Sequence, residues 1–425
     1  MGQFDLTGLL REHAFRHSVP GAAIGVMRDG EIVTAQTGVA DATTGEPVTS
    51  ETRFAVGSLC KSMVATAVAR LAADGRLSLD DPVAALVPEM RGSDWAVRAS
   101  VRDLLANRSR LPLRAEFEFS AFPGDDAGAL ARFVEQVATG DPSPPVWSYS
   151  NAGWCILGRA LETVTALPWD DAMRVVLFEP LEMTETTFVN EAVDVPRASG
   201  HEITGGVVVR AEPWTPRALA PAGSTLVSTV TDMLRFARAH LDDPTLAALR
   251  AAHAEIRIHA WLDAWCLGWA RFDWGGGRVW GWDGLISGQR SVLRLVPESG
   301  GAAVLLTNCG TGRALYRSIF PGVMDSWFGV HVPPLRLEPS EGAAGDLSRF
   351  AGVYAWPDRR WEVTAADACL VLRCGGRSVE GLPVDERTFL IDRGDHDTPT
   401  ATFGGFDDDG RPGVLYEMLW GLPRA

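Results

Sequence analysis

Two β-rich stretches bracket a long helical middle, and that arrangement restricts the chain to few folds. Near the start, Ala22 to Met27 and Glu31 to Val39 form β-type runs joined by Arg28-Asp29-Gly30, a hairpin signal. Far downstream, Leu267 to Phe272, Arg278 to Trp282, Arg290 to Val296 and Ala302 to Thr307 read as successive antiparallel strands. Between them, apolar residues recur at helical spacing from Gly57-Ser58 to about Ala73, around Val101, Leu104 and Leu105 behind an N-cap at Ser100, from Ala129 to Val137, from Asn151 to Val164, and from Thr231-Asp232 to about Ala239. Residues 5–18 and roughly Gly312 to Phe328 add a helix at each end. Strands held apart in this way share one core when a single sheet joins them. The expected class is therefore α/β, more closely an α+β sandwich: an antiparallel sheet flanked by helices, with an all-helical subdomain. Residues 113–126 and 139–146 are rich in Pro, Gly and Asp and read as loops that could wall a pocket.

At 425 residues the chain exceeds one average domain. Pro333-Pro334 and the run from Pro339 to Gly345 read as a linker, giving a first domain over 1–332, a linker over 333–345 and a small domain over 346–425. In the last, Gly352 to Tyr354, Trp361 to Thr364, Leu370 to Arg373, Thr388 to Ile391 and Val414 to Met418 are short strands between turn signals, so a small all-β, barrel-like domain is expected.

A formal charge of −15 argues against nucleic acid and anionic membrane as partners. No charge-free apolar stretch of spanning length is present, and the first residues, Met1-Gly2-Gln3-Phe4-Asp5-Leu6, carry no basic segment ahead of an apolar run. Six cysteines are scattered without metal-type spacing. A cytoplasmic protein with reduced thiols, no cofactor, no metal and a small-molecule substrate is the expectation; the oligomeric state is left open.

Lys61 is the sole lysine, every other long basic side chain being arginine. Arginine stays protonated in proteins, whereas a desolvated lysine can give up its proton. Ser58 lies three residues earlier, a spacing that puts both side chains on one helical face. A serine hydroxyl is a weak nucleophile until a neighbouring base takes its proton, and a neutral lysine can be that base. The alternative is a surface lysine with an incidental serine upstream.

Tyr149, one of four tyrosines, stands in Trp147-Ser148-Tyr149-Ser150-Asn151 at a loop-to-helix junction. Beside Lys61 it could share one proton, the two alternating as acid and base; Asn151 could hold a carbonyl or fix the lysine. Taken alone, a packing tyrosine beside a helix-capping asparagine is the simpler account. Gly281-Trp282-Asp283-Gly284-Leu285 reads as a strand end, where Gly284 would let a substrate carbonyl approach the following N–H; a plain turn between edge strands fits equally well.

In order and separation, Ser58-x-x-Lys61, Tyr149-x-Asn151 and Trp282-x-Gly284 resemble the serine β-lactamase and penicillin-binding-protein superfamily, in its class C β-lactamase-like branch. Ser78-Leu79-Asp80-Asp81-Pro82, Val101-Arg102-Asp103-Leu104-Leu105 and the run from Pro221 to Thr229 match as well, and the resemblance spans about residues 15 to 330. It implies that Ser58 is the nucleophile, that Lys61 and Tyr149 relay its proton, and that the N–H groups of Ser58 and Leu285 form the oxyanion hole. Asn151, Trp282, Asp283 and Gly284 would then contact substrate. The tail resembles the lipocalin-like appendage of some D-aminopeptidases and peptide-cyclising thioesterases.

Two departures bear on the substrate. Trp282 occupies the place where β-lactamases carry the lysine that meets a substrate carboxylate, as in family VIII carboxylesterases and related transacylases. The usual His-Thr-Ser-Gly-Leu run is replaced by Asn107-Arg108-Ser109-Arg110-Leu111, whose arginines read first as solvated and second as an anion clamp. Trp261, Trp265, Trp269, Trp274, Trp280 and Trp282 could line a pocket for a bulky acyl group or simply pack the core. The expected function is acyl transfer through a covalent acyl-enzyme on a small-molecule ester or amide, by an esterase or by a transacylase with an amine or alcohol acceptor. The arginine-for-lysine bias fits a high-GC bacterium and natural-product tailoring, including antibiotic biosynthesis. Alternatives are a D-stereospecific peptidase or peptide-cyclising thioesterase and, from another class, a slowly deacylating covalent sensor.

Overall fold

The computed structural model describes residues 5–111, 124–138, 146–192, 194–258, 262–334, 337–340, 342–356, 359–391 and 400–425. Helix α1 (Leu6–Arg16) starts where Asp5 accepts a hydrogen bond from the Gly8 N–H. Strands β1 (Gly21–Arg28) and β2 (Glu31–Gly38) follow, joined through Asp29 and Gly30 at φ of 50° and 86°, the doubly left-handed turn that suits strand twist. Helices α2 (Cys60–Ala73), α3 (Ala129–Val137), α4 (Asn151–Thr165) and α5 (Val230–Asp242) make the helical middle. Strands β3 (Ala254–Ile258), β4 (Leu262–Trp265), β5 (Ala270–Trp274), β6 (Gly277–Ile286), β7 (Gln289–Val296) and β8 (Gly301–Thr307) then lead into helix α6 (Gly312–Phe328).

All eight strands form one antiparallel sheet in the order β2-β1-β8-β7-β6-β5-β4-β3. The two ends of the chain's main domain meet where β1 pairs β8, from Ala22 opposite Thr307 to Arg28 opposite Gly301. Nearly every residue of β1 and β8 is buried, because helices cover both faces there. The sheet-and-helix sandwich read from the sequence is thus the observed fold.

The expected strand over Leu267 to Phe272 is instead broken by a turn. Gly268 takes φ of 80° and its carbonyl accepts from Ser62 Oγ at 2.7 Å, bending the chain onto α2 before β5 begins. Its apolar neighbours hide that turn from a hydrophobicity reading. Likewise, β6 runs through the Trp282-Asp283-Gly284 segment rather than ending there, and the turn comes at Ser287-Gly288.

Beyond α6, the described residues hold eight strands rather than five: β9 (Gly352–Trp356), β10 (Arg359–Ala365), β11 (Leu370–Cys374), β12 (Arg377–Pro383), β13 (Thr388–Ile391), β14 (Thr400–Phe406), β15 (Pro412–Glu417) and β16 (Trp420–Pro423). Those missed from the sequence, β12, β14 and β16, all contain glycine, which weakens a strand signal. A bridge between Tyr354 and Arg424, with the Ala425 N–H donating to Val353 O at 2.8 Å, brings the last strand back to the first. Phe350 packs 4.8 Å from Phe403 and 5.0 Å from Phe389 inside this nearly closed barrel. Most of the expected loop stretches 113–126 and 139–146, and Trp261, lie outside the described residues. Among the described residues, no helix is long and apolar enough to cross a membrane.

Candidate active site

The segment leading to Ser58 is fixed before the helix begins. Phe54–Ala55 pairs with Val227 and Ser228, and the Val56 N–H donates to Leu226 O at 3.1 Å. Gly57 then turns at φ of 53°, a conformation that glycine adopts without steric cost. A Cβ there would also lie 2.7 Å from the Leu285 nitrogen, so β6 passes directly against the peptide preceding Ser58. Gly284 makes the same approach from the other side: its Cβ would stand 1.9 Å from the Val56 carbonyl oxygen. Two glycines thus let the end of β6 lie on the turn carrying Ser58.

Lys61, one helical turn into the segment, is wholly buried, whereas Ser58 is partly exposed. Its Nζ lies 3.0 Å from Ser58 Oγ and donates to the Ala222 carbonyl at 2.7 Å. Ala222 sits just before Gly223, whose φ of 112° and lack of Cβ let the 221–223 turn press on the Gly57 carbonyl. Tyr149 closes the other side, its ring centroid 5.0 Å from Lys61 Nζ, within cation–π reach of an ammonium. Trp282 Nε1 donates to Tyr149 Oη at 3.3 Å, and Trp265 stands edge-on to both rings, 6.0 Å from Tyr149 and 4.8 Å from Trp282. The one polar atom of Trp282 therefore goes to Tyr149.

Ser58, Lys61, Tyr149 and Trp282, with the Gly284–Leu285 backbone, converge on one place. Asn151 opens α4 two residues after Tyr149, and the cap of that helix is Ser150, whose Oγ accepts from the Gly153 N–H at 3.0 Å. Asp283 is not brought to the site. Side chains alternate along a strand, so Asp283 projects to the face opposite Trp282 and Gly284. There its carboxylate accepts from Arg294 Nη1 at 2.6 Å. Arg294 is 2% exposed and lies over the rings of Phe272 and Tyr316. Burial works against its charge, yet Asp283 and the Tyr316 phenol hold its pKa above the usual arginine value. Asp283 is thus the counter-ion of a buried arginine. Arg108 and Arg110 are exposed, with Arg108 Nη1 donating to the His253 carbonyl at 3.1 Å.

Three participants were missed from the sequence. The Ala222 carbonyl is a backbone atom; its signal was the Pro221-to-Thr229 match, which carried no role. Trp265 was seen only as one of many tryptophans. Leu419, from the barrel, accepts the Tyr149 N–H at 3.0 Å, while Tyr416 packs edge-on to Trp147 with centroids 6.1 Å apart. Cys60, beside Ser58, is no competing nucleophile, since burial pushes its thiol up to about 12. A partly exposed hydroxyl within hydrogen-bond reach of a buried amine, with a tyrosine beside them, is the arrangement that a nucleophile, its base and a second proton-transfer group require.

Comparison with known proteins shows the family. The beta-lactamase family profile matches residues 6–320. Penicillin-binding protein 4 of Amycolatopsis lactamdurans is 37% identical over 363 residues, covering 80% of this chain and 93% of that protein. Esterase EstB of Burkholderia gladioli is 28% identical over 289 residues, covering 57% and 71% of the two chains. The crystal structure of SurE superposes with a TM-score of 0.81 at 27% identity, over 99% of this chain and 98% of that one. The chain belongs to the beta-lactamase family, within the serine β-lactamase and penicillin-binding-protein superfamily of serine acyl-transfer enzymes.

Proposed function

We propose that Ser58 forms a covalent acyl-enzyme with a small-molecule ester or amide, and that the protein works as an esterase or transacylase. The observation that carries this reading is the 3.0 Å approach of the buried Lys61 amine to Ser58 Oγ. Lys61 takes the hydroxyl proton as Oγ attacks the carbonyl carbon. The N–H groups of Ser58 and Leu285 receive the oxyanion, an arrangement supported by the close packing of Gly57 on the Leu285 nitrogen. Lys61 passes the proton through Tyr149 to the departing alkoxide or amine, leaving the acyl group esterified to Ser58. Water, or an amine or alcohol, then attacks that ester as Tyr149 and Lys61 take up its proton, and Ser58 regains its own. Asn151 orients the acyl carbonyl. The Trp282–Tyr149 bond supports a positioning role for Trp282, in a site without the lysine that would greet a β-lactam carboxylate.

A second reading, a D-stereospecific peptidase or peptide-cyclising thioesterase, is favoured by the similarity to SurE along the whole chain, barrel included. SurE has also been solved with D-Leu, and that structure superposes with a TM-score of 0.79 at 28% identity.

Intact-mass spectrometry with p-nitrophenyl esters, alone and with amine or alcohol acceptors, tests both. Transient labelling of Ser58 with turnover is expected, with new ester or amide products if an acceptor is used. D-Leu outperforming L-Leu as acceptor would select the second reading. Stoichiometric labelling without release would point to a covalent sensor, and no labelling by any ester would overturn the proposal.

A further inference from the structure

Beyond Leu285, a groove of about 510 Å³ opens between the end of β6 and the segment 197–215. Its lining adjoins the site along the chain: Ala55 stands three residues before Ser58, Ser224 follows the Gly223 turn, and Ile286 follows Leu285. The lining also includes two arginines, Arg197 and Arg210.

The pair is unevenly compensated. Arg210 Nη1 lies 3.4 Å from Asp41 Oδ2. Arg197 is half-buried, and among the described residues no carboxylate pairs with it; its Nη1 donates to the Val189 carbonyl at 3.2 Å. This occurs in a chain of net charge −15, where acidic partners are plentiful. Burial, and then repulsion from Arg210, lower the Arg197 pKa, although a guanidinium stays charged at any working pH. Removing a charge from water without a partner is unfavourable, so a half-buried, uncompensated guanidinium is a place for an anion.

The backbone here is held as firmly as the nucleophile. The Arg53 N–H donates to Pro196 O at 3.0 Å and the Ala198 N–H to Arg53 O at 2.9 Å, so both neighbours of Arg197 are bound to the segment that leads to Ser58. Gln289 clamps the same two stretches, accepting from the Ala55 N–H at 3.0 Å and donating to Ala198 O at 3.1 Å. The direction along β6 says which half of a substrate reaches the groove. Trp282, bonded to Tyr149, is on one side of Leu285 and Ile286 is on the other, a span of about 13 Å at ordinary strand rise. The leaving group must lie near the proton relay at Tyr149, so the opposite side receives the acyl chain.

We infer that the Arg197–Arg210 groove is an acyl subsite for a carboxylate carried at the far end of the acyl donor. This rests on the proposed acylation of Ser58. The planar guanidinium of Arg197 pairs with the carboxylate while the alkyl stem lies along Ile286, and no bond is made or broken there. An anchor at this end is compatible with the absence of a lysine at the Trp282 position, since it takes a different carboxylate from the one a β-lactamase binds.

The test compares p-nitrophenyl hexanoate with mono-p-nitrophenyl adipate, which differ in a terminal carboxylate, by the rate of Ser58 acylation. The adipate donor is expected to win by about tenfold or more. Arg197→Gln should erase most of that ratio, Arg210→Gln part of it, and Arg197→Lys should keep part, with melting curves confirming folding. In parallel, calorimetry on Ser58→Ala protein compares monomethyl adipate with dimethyl adipate; the monoester should bind about tenfold tighter, and Arg197→Gln in that background should remove the difference. Arg197-dependent binding without acylation by either donor would sink the acyl-enzyme reading and leave the subsite standing. Equal acylation and equal binding of charged and neutral partners, or a preference indifferent to Arg197→Gln, would overturn the subsite.

Discussion

The backbone N–H of Tyr149 donates to the carbonyl of Leu419 at 3.0 Å, joining the tyrosine beside Lys61 to the last hairpin of the C-terminal sheet. Leu419 and Tyr416 pack into the hydrophobic core of the large sheet and its helices rather than into that of the barrel. Gly421 keeps this joint close, because a Cβ there would meet the Trp147 carbonyl oxygen at 2.4 Å. Gly421→Ala should push the hairpin off the Trp147–Tyr149 segment and slow Ser58 acylation roughly tenfold, on the scale that small misplacements cost a catalytic group. Stopped-flow acylation with a p-nitrophenyl ester checks this; a rate equal to wild type would mean that Tyr149 holds its place unaided.

Lys61→Arg keeps a basic side chain but replaces the amine beside Ser58 with a guanidinium that cannot accept a proton. Acylation should fall by about 10²–10⁴, the usual contribution of a proton-transfer group. The measurement is the mass-detected acyl-enzyme at short times. An active arginine variant would contradict a proton-accepting role for Lys61.

Asp283→Asn should act on stability before it acts on substrate. It leaves Arg294, 2% exposed, without its carboxylate, while the 31% exposure of Asp283 tempers the loss. A destabilisation of about 2–4 kcal/mol is expected in urea unfolding. A variant of unchanged stability with a raised KM would return Asp283 to the substrate.

His240 gives the fold a measurable acid limit. Its Nε2 lies 2.8 Å from Thr66 Oγ1. That hydroxyl already donates to Ser62 O at 2.7 Å, so His240 must be the donor and Nδ1 is left buried with no partner. Burial, aided by Arg250, pushes the pKa from 6.5 to about 3. The folded state refuses a proton that the unfolded chain accepts, so this contribution is complete above 6.5 and is lost as pH falls from there towards 3. Between pH 7 and pH 5 the loss is about 2 kcal/mol. His240→Gln should flatten this part of the stability profile. An unchanged slope would place the titration elsewhere.

What could be read from the sequence was what local geometry dictates. Ser58 and Lys61 meet because they are one helical turn apart, and the sheet follows from strands gathered at both ends. Asp283 was misplaced because β6 was taken to stop at it; a strand continuing to Ile286 would have put it opposite Trp282 by simple alternation. Gly268 turns the chain inside an apolar run, where periodicity gives no warning. The Ala222 carbonyl and Leu419 were out of reach for another reason: a backbone acceptor has no residue identity, and contact across hundreds of positions leaves no local pattern.

The Tyr149–Leu419 bond also sets an order of events during synthesis. Ser58, Lys61 and Tyr149 all precede that hairpin in the chain, so synthesis supplies the proposed nucleophile and relay before the carbonyl that receives the Tyr149 N–H. Until the β15–β16 turn is made and docked, the growing polypeptide has the residues for acyl transfer without the finished geometry. If the Gly421→Ala variant is slow as expected, assembly of the barrel is also the step that completes the site.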